Sequence, residues 1–316
     1  MVDYLRISVT DRCNLRCIYC LPRGMESFLP HREILSYEEI ADIVKILSEC
    51  GIRKVRLTGG EPLVRREIES LVKLINLIPS ISELSMTTNG ILLGEKAVIL
   101  KEAGLDRVNI SLNTIKEDRY EKITGYNNFR DVWNSISVAL KTFKVVKLNT
   151  ILFKGINDDE IIDFAKITLK FNLGVRFIEY FSTQDEFLSL QNKFVPNKIV
   201  KEVIEKRFGR LLPADDVMGN GPAVNYRIPE TKGSIGFINS NEGSFCDRCN
   251  RLRLSSVGKL YPCLFSPFNI DLKEMLRGGV ERSEIMKVIN NLISKKHNYS
   301  RPIKREYEFA MNRIGG

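Results

Sequence analysis

Residues 4–20 read YLRISVTDRCNLRCIYC, a β-like run that leads directly into three cysteines. Cys13, Cys17 and Cys20 have the spacing C-x3-C-x2-C, which puts three thiols on one loop after a buried strand. A structural zinc site usually takes four ligands in paired C-x2-C knuckles, and a disulfide framework needs an even number of cysteines in a small secreted chain. Three close thiolates instead suit a 4Fe–4S cluster, which normally takes four cysteines, and the missing ligand leaves one iron open. The stretch therefore indicates chemistry at an open iron.

Composition indicates a globular protein with a large core. The chain has 316 residues, of which 43% are hydrophobic. No stretch approaches the roughly twenty uncharged apolar residues of a membrane span, and the first residues read as a strand rather than as a basic region followed by an apolar run. We therefore expect a cytoplasmic protein with no membrane partner. In a reducing compartment, seven cysteines favour metal binding or catalysis over disulfides.

The formal net charge of +9 is compatible with nucleic acid, a membrane surface or a phosphorylated small molecule as the partner. Both signs are mixed along the helical segments, as in Lys45 and Glu49, so we expect much of the excess to be solvated surface. We expect no nucleic-acid partner.

Strand and helix patterns alternate along the first 180 residues. Ser36 and Glu39 form a capping box that predicts the start of the first helix. Further helices are predicted at residues 68–78 and 95–103, in a longer region that ends at 143, and at 159–171. Strands are predicted at the first run and at residues 54–58, 83–88, 107–112, 145–153 and 175–180. About six βα units predict a parallel sheet, either doubly wound or part of a (β/α) barrel, with the active site at the carboxyl ends of the strands.

Small polar and basic residues follow or end these predicted strands. The second strand leads into Gly59-Gly60-Glu61-Pro62, where the glycines allow a close backbone approach and the carboxylate can bind an ammonium or a hydroxyl. Thr87 and Ser111 end the third and fourth strands, although each could simply cap a helix or a turn. Lys147 and Arg176 lie on the fifth and sixth strands. These groups are expected to converge on one rim.

Beyond residue 181 the regular alternation stops. A helix is predicted at residues 195–208, and short strands at 225–228 and 234–238. We therefore divide the chain into a partial barrel at residues 1–181 and a C-terminal extension at residues 182–316. The last two residues, Gly315 and Gly316, could fray, as termini usually do, or could thread where side chains cannot.

The extension carries a second cysteine set, Cys246, Cys249 and Cys263. A zinc site completed by an unidentified fourth ligand is the alternative, but neither histidine lies nearby in sequence. We interpret the set as a second cluster with an open iron. Arg251 and Arg253 alternate along the strand that follows, where two guanidinium groups could bind a polyphosphate, although such a pair is more often surface charge.

Together these stretches resemble the GTP 3′,8-cyclases, a family of the radical S-adenosylmethionine superfamily that catalyses the first step of molybdenum cofactor (molybdopterin) biosynthesis. The resemblance rests on RISVTDRC (residues 6–13), TGGEPL (58–63), RFIE (176–179), FCDRCNRLRL (245–254) and the terminal GG. It runs from about residue 4 to residue 316. It implies an incomplete (β/α)6 barrel whose open side is covered by a C-terminal segment with a second iron–sulfur site.

The resemblance also implies the site residues. The first cluster, which binds S-adenosylmethionine, would be held by Cys13, Cys17 and Cys20. The second cluster, whose open iron binds guanine, would be held by Cys246, Cys249 and Cys263. The S-adenosylmethionine site would include Tyr19, Gly60 and Ser111. The GTP site would include Arg6, Arg56, Thr87, Lys147, Arg176, Arg251, Leu252 and Arg253. Residues with a catalytic role would be the first three cysteines with Arg251, Arg253, Gly315 and Gly316.

In the implied reaction a 5′-deoxyadenosyl radical removes the 3′ hydrogen of GTP, and the carbon radical attacks C8 of guanine. Reduction gives (8S)-3′,8-cyclo-7,8-dihydroguanosine 5′-triphosphate. The implied partners are GTP, a reductant for the cluster, the cyclic pyranopterin monophosphate synthase that takes the product, and a second copy of the chain.

The family commonly has Met after the sixth strand, where this chain has Phe181. The alternatives are a peptide-modifying radical enzyme with an auxiliary cluster and a basic RNA-binding zinc protein.

Overall fold

The computed structural model describes residues 2–21, 24, 28–180, 190, 192–215, 221, 223–239, 249–296 and 314. Four residues named above therefore lie outside the described residues: Phe181, Cys246, Gly315 and Gly316. The strands are β1 (Tyr4–Ser8), β2 (Lys54–Thr58), β3 (Glu83–Thr88), β4 (Arg107–Ser111), β5 (Val146–Ile151), β6 (Gly174–Ile178), β7 (Leu212–Pro213), β8 (Val224–Arg227), β9 (Ser234–Ile238), β10 (Arg251–Leu254), β11 (Lys259–Tyr261) and β12 (Ile270–Asp271). The helices are α1 (Tyr37–Glu49), α2 (Ile68–Asn76), α3 (Leu93–Glu102), α4 (Glu117–Thr124), α5 (Phe129–Thr142), α6 (Ile161–Lys170), α7 (Asn197–Phe208), α8 (Leu272–Arg277) and α9 (Arg282–Ser294).

The described strands join into one open sheet with the order β12-β11-β10-β1-β2-β3-β4-β5-β6-β9-β8-β7. β1 to β6 lie side by side in chain order and run parallel. A doubly wound sheet reverses its strand order at a switch point, and β1 to β6 show no reversal. The predicted α/β fold is therefore confirmed as an incomplete barrel of six βα units. β9 and β10 extend the parallel run at its two ends, beside β6 and β1 respectively.

The two faces of the sheet have different surroundings. On β1, Leu5 and Ile7 are fully buried in a hydrophobic core that they share with the helices, whereas Tyr4 and Arg6 line a cavity on the other face. This division follows from the alternation of side chains along a strand. The inner face of the barrel is therefore the polar one.

Local sequence signals explain where the helices start and stop. The predicted capping box is confirmed: Ser36 Oγ accepts from Glu39 N at 3.2 Å, and Glu39 Oε2 accepts from Ser36 N at 2.8 Å. The helical region predicted to end at residue 143 is two helices, because Gly125 takes the left-handed conformation (φ 81°) and ends α4.

The C-terminal helices are attached to the barrel through α1. Arg277 on α8 pairs with Glu39 at 2.7 Å, and Arg282 on α9 pairs with Glu49 at 2.7 Å. α9 also buries an apolar face that includes Ile289. The start of α9 is thereby held against α1. Among the described residues, no helix has the length and apolar character needed to cross a membrane.

Candidate active site

A cavity of about 340 Å³ lies on the inner face of the sheet. Both cysteine sets border it: the loop after β1 contributes Cys13, Cys17 and Cys20, and the flanks of β10 and β11 contribute Cys249 and Cys263. β10 runs parallel to β1. Cys249, which precedes β10, therefore lies near one end of this pair of strands, and the cysteine loop that follows β1 lies at the other end. Four paired residues at about 3.3 Å each place roughly 13 Å of strand between the two ends. One extended ligand can therefore contact both cysteine sets.

Backbone hydrogen bonds hold the first cysteine loop against the barrel. Arg16 N donates to Thr124 O at 2.8 Å, and Ile18 N donates to Ile123 O at 3.0 Å, both at the end of α4. The loop is thus positioned by the fourth βα unit as well as by β1.

The three thiols of this loop fit a cluster. Burial raises the pKa of Cys13 to about 11 and that of Cys20 to about 12, and it raises the pKa of Cys17 further. Nearby negative groups add to each shift, with Glu61 the largest at Cys13. An unliganded thiolate is costly in such a place, and coordination to iron offsets that cost. In a 4Fe–4S cluster each thiolate binds a different iron atom, so the thiols need not converge on one point. Among the described residues, no three His, Cys, Asp or Glu side chains are arranged to hold a single metal ion.

A tight turn after β2 supports the cysteine loop from the side. Gly60 N donates to Thr10 O at 2.8 Å, and Glu61 N donates to Arg12 O at 2.8 Å. A Cβ atom on Gly60 would lie well inside contact distance of the Arg12 carbonyl. Only glycine allows the two segments to approach this closely.

The Glu61 carboxylate is buried at the cavity wall. It accepts hydrogen bonds from Leu63 N at 3.0 Å, Thr88 Oγ1 at 2.7 Å and Asn89 N at 2.6 Å. Burial raises the pKa of Glu61 to about 7, because it outweighs these three bonds. Asn89 also donates from Nδ2 to Cys13 Sγ at 3.9 Å, so this residue, absent from the predicted site, contacts the first cysteine set.

The residues predicted to bind S-adenosylmethionine, Tyr19, Gly60 and Ser111, all line the cavity. The Tyr19 hydroxyl accepts from Asn113 Nδ2 at 2.7 Å, and the Tyr19 ring packs on Phe153 with 5.9 Å between centroids. The Tyr19 ring is therefore fixed at its hydroxyl and on one face.

Cationic side chains form much of the cavity wall. Six of the predicted GTP residues line it: Arg6, Arg56, Thr87, Arg176, Arg251 and Arg253. Strand register brings Arg6 opposite Arg253 on one side and Arg56 on the other. Burial, followed by repulsion from these two neighbours, lowers the pKa of Arg6, and burial lowers the pKa of Arg176 to about 9. A bound polyanion would relieve this repulsion.

Two predicted GTP residues are placed differently. Lys147 is 2% exposed and does not line the cavity; burial, with repulsion from Arg176 and Arg107, lowers the pKa of Lys147 to about 6. Leu252 lies between two inward-facing arginines on β10, so its side chain points to the outer face and is fully buried in the core. For Leu252, only the backbone is available to a ligand in the cavity.

Polar atoms without hydrogen-bond partners also converge on the cavity. Thr87 Oγ1, both amide atoms of Asn109 and Oδ1 of Asn149 have no partner in the described part of the chain. A buried polar group without a partner costs about 1–3 kcal/mol, which a bound ligand can recover. Neither Asn109 nor Asn149 was among the predicted site residues, although Asn149 was recognised as a polar residue at the end of the fifth predicted strand. Asn109 lies two residues from Ser111, and Asn149 lies two residues from Lys147. Strand alternation would have identified both.

The second cysteine set has a cationic environment. The pKa of Cys249 is lowered to about 7, because Arg251 and Lys296 outweigh the opposing effect of burial. Cys263 lines the same cavity, and Cys246 lies outside the described residues. Lys296 was not predicted, since no motif in the sequence marks it.

Comparison with known proteins agrees with this architecture. Residues 7–167 match the radical SAM superfamily, and residues 173–301 match the Molybdenum Cofactor Synthesis C family. The chain is 46% identical to the GTP 3′,8-cyclase of Pelotomaculum thermopropionicum over 296 residues, which cover 93% of this chain and 91% of the relative. It is 44% identical to the GTP 3′,8-cyclase of Moorella thermoacetica, with 100% and 98% covered. The chain belongs to the GTP 3′,8-cyclase family.

Membership of the GTP 3′,8-cyclase family confirms the resemblance found in the sequence and excludes the RNA-binding zinc protein. GTP 3′,8-cyclases use S-adenosylmethionine and two 4Fe–4S clusters, which accords with two cysteine sets on one cavity. The roles of individual residues stay predictions.

Solved structures share the fold. Streptococcus suis SuiB bound to S-adenosylmethionine matches with a TM-score of 0.59 and 15% identity, over 96% of this chain and 77% of that one. Methylornithine synthase matches with a TM-score of 0.51 and 19% identity, over 67% of this chain and 65% of that one. At these identities the likeness concerns the fold alone.

Proposed function

We propose that the protein converts GTP to (8S)-3′,8-cyclo-7,8-dihydroguanosine 5′-triphosphate in the cavity described above, as the first step of molybdenum cofactor biosynthesis. The observation that carries the proposal is that one cavity is lined by both cysteine sets and by arginines from β1, β2, β6 and β10. The relatives of the chain support the same reaction.

The first cysteine set would hold the cluster that binds S-adenosylmethionine. When bound, the cluster and S-adenosylmethionine supply a 5′-deoxyadenosyl radical, and the protein supplies orientation. Tyr19, Gly60 and Ser111 would contact S-adenosylmethionine. The Glu61 carboxylate, fixed by three hydrogen bonds, would accept a hydrogen bond from the amino group of S-adenosylmethionine.

The second set, Cys249 and Cys263 with Cys246, would hold the cluster that binds guanine. The guanidinium groups of Arg6, Arg251 and Arg253 would bind the triphosphate. Like-charged buried groups favour an anionic ligand, and guanidinium binds phosphate oxygens in a bidentate manner.

The ribose would lie between the two ends of the cavity. Its C3′ carbon must meet C8 of guanine before it meets another group, so the ribose has to be held rigidly. Asn109, Thr87 and Asn149 provide donors and acceptors that have no protein partner. These side chains suit the ribose hydroxyls.

Anaerobic reconstitution with iron, sulfide, S-adenosylmethionine and a reductant tests the function. We expect 5′-deoxyadenosine formation that depends on GTP, and a cyclised guanine nucleotide identified by mass spectrometry. ATP in place of GTP is the matched control and should yield no cyclised nucleotide. Absence of the cyclised product from protein that carries both clusters would contradict the proposal, and turnover with a peptide but not with GTP would favour a peptide-modifying enzyme.

The proposal extends to partners and location. The enzyme would receive electrons from a cytoplasmic reductant, pass its product to the cyclic pyranopterin monophosphate synthase, and form a homodimer. The residues assigned to the C-terminal extension, 182–316, would close the open side of the barrel. Gly315 and Gly316 would enter the active site, and full turnover after deletion of both would rule out this part of the proposal.

A further inference from the structure

Lys296 is a fully buried lysine at the wall of the cavity. It follows α9, is 1% exposed and lines the cavity beside the second cysteine set. Lysine is almost never fully buried unless its ammonium group is paired. Its partners therefore indicate what the residue does.

The ammonium group has three donors, and the described part of the chain places three partners near it. Nζ donates to Arg251 O at 2.8 Å and to Pro262 O at 2.5 Å. The Cys249 side chain is a further hydrogen-bond partner. A lysine ammonium carries three N–H groups and no acceptor, so each of these contacts takes up one of its N–H groups.

The three partners belong to the two segments that carry cysteines. Arg251 lies two residues after Cys249, and Pro262 directly precedes Cys263. β10 and β11 separate these segments in sequence. A single side chain from a third segment therefore joins the backbone on both sides of the second cysteine set.

The fold fixes the position from which Lys296 acts. α9 buries Ile285 and Leu292 and pairs Arg282 with Glu49 on α1. Lys296 comes two residues after the end of α9, and it points back to β10 and to the segment after β11. The position of α9 thus brings the ammonium group of Lys296 to the second cysteine set, although no sequence motif around Lys296 indicates this contact.

We propose that Lys296 is a positioning residue for the second cluster, which it supports in two ways. Its hydrogen bonds to two carbonyls hold the Cys249 and Cys263 segments at the spacing that the cluster needs. Its N–H and positive charge at the Cys249 sulfur stabilise the more negative, reduced state of the cluster and so raise its reduction potential, as hydrogen bonds and charge near cluster sulfurs do. The inference rests on the proposed function, because it assumes that this set binds a cluster.

The test uses three variants of the full chain. Lys296→Met removes both the donors and the charge while it keeps a long side chain, and Lys296→Gln keeps N–H donors but removes the charge. Lys295→Met is the matched control, because Lys295 is the adjacent lysine and is exposed. Each protein is reconstituted anaerobically, and the iron content, the spectra of both clusters and the loss of iron to a chelator are measured.

We expect Lys296→Met to lose second-cluster iron to the chelator about 10- to 100-fold faster than the wild-type chain, since loss of a supporting contact typically weakens metal binding by that factor. The first cluster serves as the internal control, and its spectrum and its cleavage of S-adenosylmethionine should be unchanged. Lys296→Gln should keep more iron than Lys296→Met but show a lower second-cluster potential. Lys295→Met should match the wild-type chain in every measurement.

Wild-type rates of iron loss and an unshifted second-cluster potential in the Lys296 variants would overturn the inference. If Lys296→Met does not fold, the potential of Lys296→Gln decides, because a purely structural lysine would leave that potential unchanged. A wild-type chain with only about four irons, all in the first cluster, would instead contradict the proposed function. The two failures are therefore distinguishable.

Discussion

The two cysteine sets on the cavity are built in different ways. Cys13, Cys17 and Cys20 lie on one loop, which closes on itself through a bond from Cys20 N to Cys17 O at 3.0 Å. Cys249 and Cys263 are separated by two strands, and the side chain of Lys296 joins their segments from a third part of the chain. The first site is therefore local in sequence, and the second is assembled by the tertiary fold. A sequence motif describes the first site well and the second only in part.

Substitution of Cys17 by Ala has the largest expected effect and tests whether the two sites are independent. The loop would lose one of its three ligands, so we expect iron to fall from about eight to about four per chain. S-adenosylmethionine cleavage should drop to background, while the second-cluster spectrum stays unchanged. Iron analysis and Mössbauer spectra check this, with Cys50→Ala, outside both sets, as the control. Simultaneous loss of both clusters would show that the sites do not form independently.

Substitution of Gly60 by Ala tests whether the first site depends on the turn after β2 as well as on the cysteine loop itself. The added Cβ would collide with the Arg12 carbonyl, and the turn after β2 and the cysteine loop would have to separate. A misplacement of about 1 Å can cost roughly 100-fold in rate, and we expect a loss of that size in S-adenosylmethionine cleavage.

Retained iron at the second cluster is the internal control for the Gly60 variant. Unchanged cleavage kinetics would mean that the contact between the β2 turn and the cysteine loop does not position S-adenosylmethionine.

The same contrast explains what could be predicted from the sequence. The parallel α/β sheet was predictable because six βα units alternate regularly, whereas the choice of a barrel over a doubly wound sheet came from the family resemblance. Cys13 and its neighbours were predictable because their spacing is a local pattern. Asn109 was missed because it ends no strand and belongs to no motif, although its alternation with Ser111 was visible. Lys296 could not be found, because its role depends on where α9 packs. Leu252 shows a further limit of motif reading, since a residue within a motif can direct its side chain to the other face and offer a ligand only its backbone.

Substitution of Arg253 by Ala tests the cationic wall on the side of the second site. Arg253 pairs in register with Arg6 and lines the cavity. Loss of charge-assisted hydrogen bonds to phosphate costs about 1.5–3 kcal/mol, so we expect GTP affinity to fall roughly 10- to 100-fold. Isothermal titration under anaerobic conditions measures this, with the exposed Arg277→Ala as a control that should leave affinity unchanged. An equal loss in both variants would mean that net charge, rather than position, attracts GTP.

Substitution of Asn109 by Ala has the smallest expected effect on GTP binding. We expect it to weaken GTP binding but to leave the stability of the ligand-free protein unchanged or higher. Asn109 is buried between the two sites, and neither of its amide atoms has a partner among the described residues. Removal of a neutral hydrogen bond to the ribose would weaken GTP binding by about 0.5–1.5 kcal/mol, a factor of roughly 2 to 10. The ligand-free protein should keep its melting temperature or gain stability, because the variant no longer buries an unpaired amide.

A matched variant separates this reading of Asn109 from a packing role. Asn128→Ala removes an exposed amide that bonds Asp131 at 2.9 Å, and it should leave GTP affinity unchanged. A packing role predicts that Asn109→Ala lowers the melting temperature by leaving a cavity and leaves GTP affinity near the wild-type value. Weaker GTP binding together with unchanged or higher stability requires that the ligand provides the hydrogen-bond partner. The polar groups between the two cysteine sets would then find their hydrogen-bond partners only when the substrate is bound.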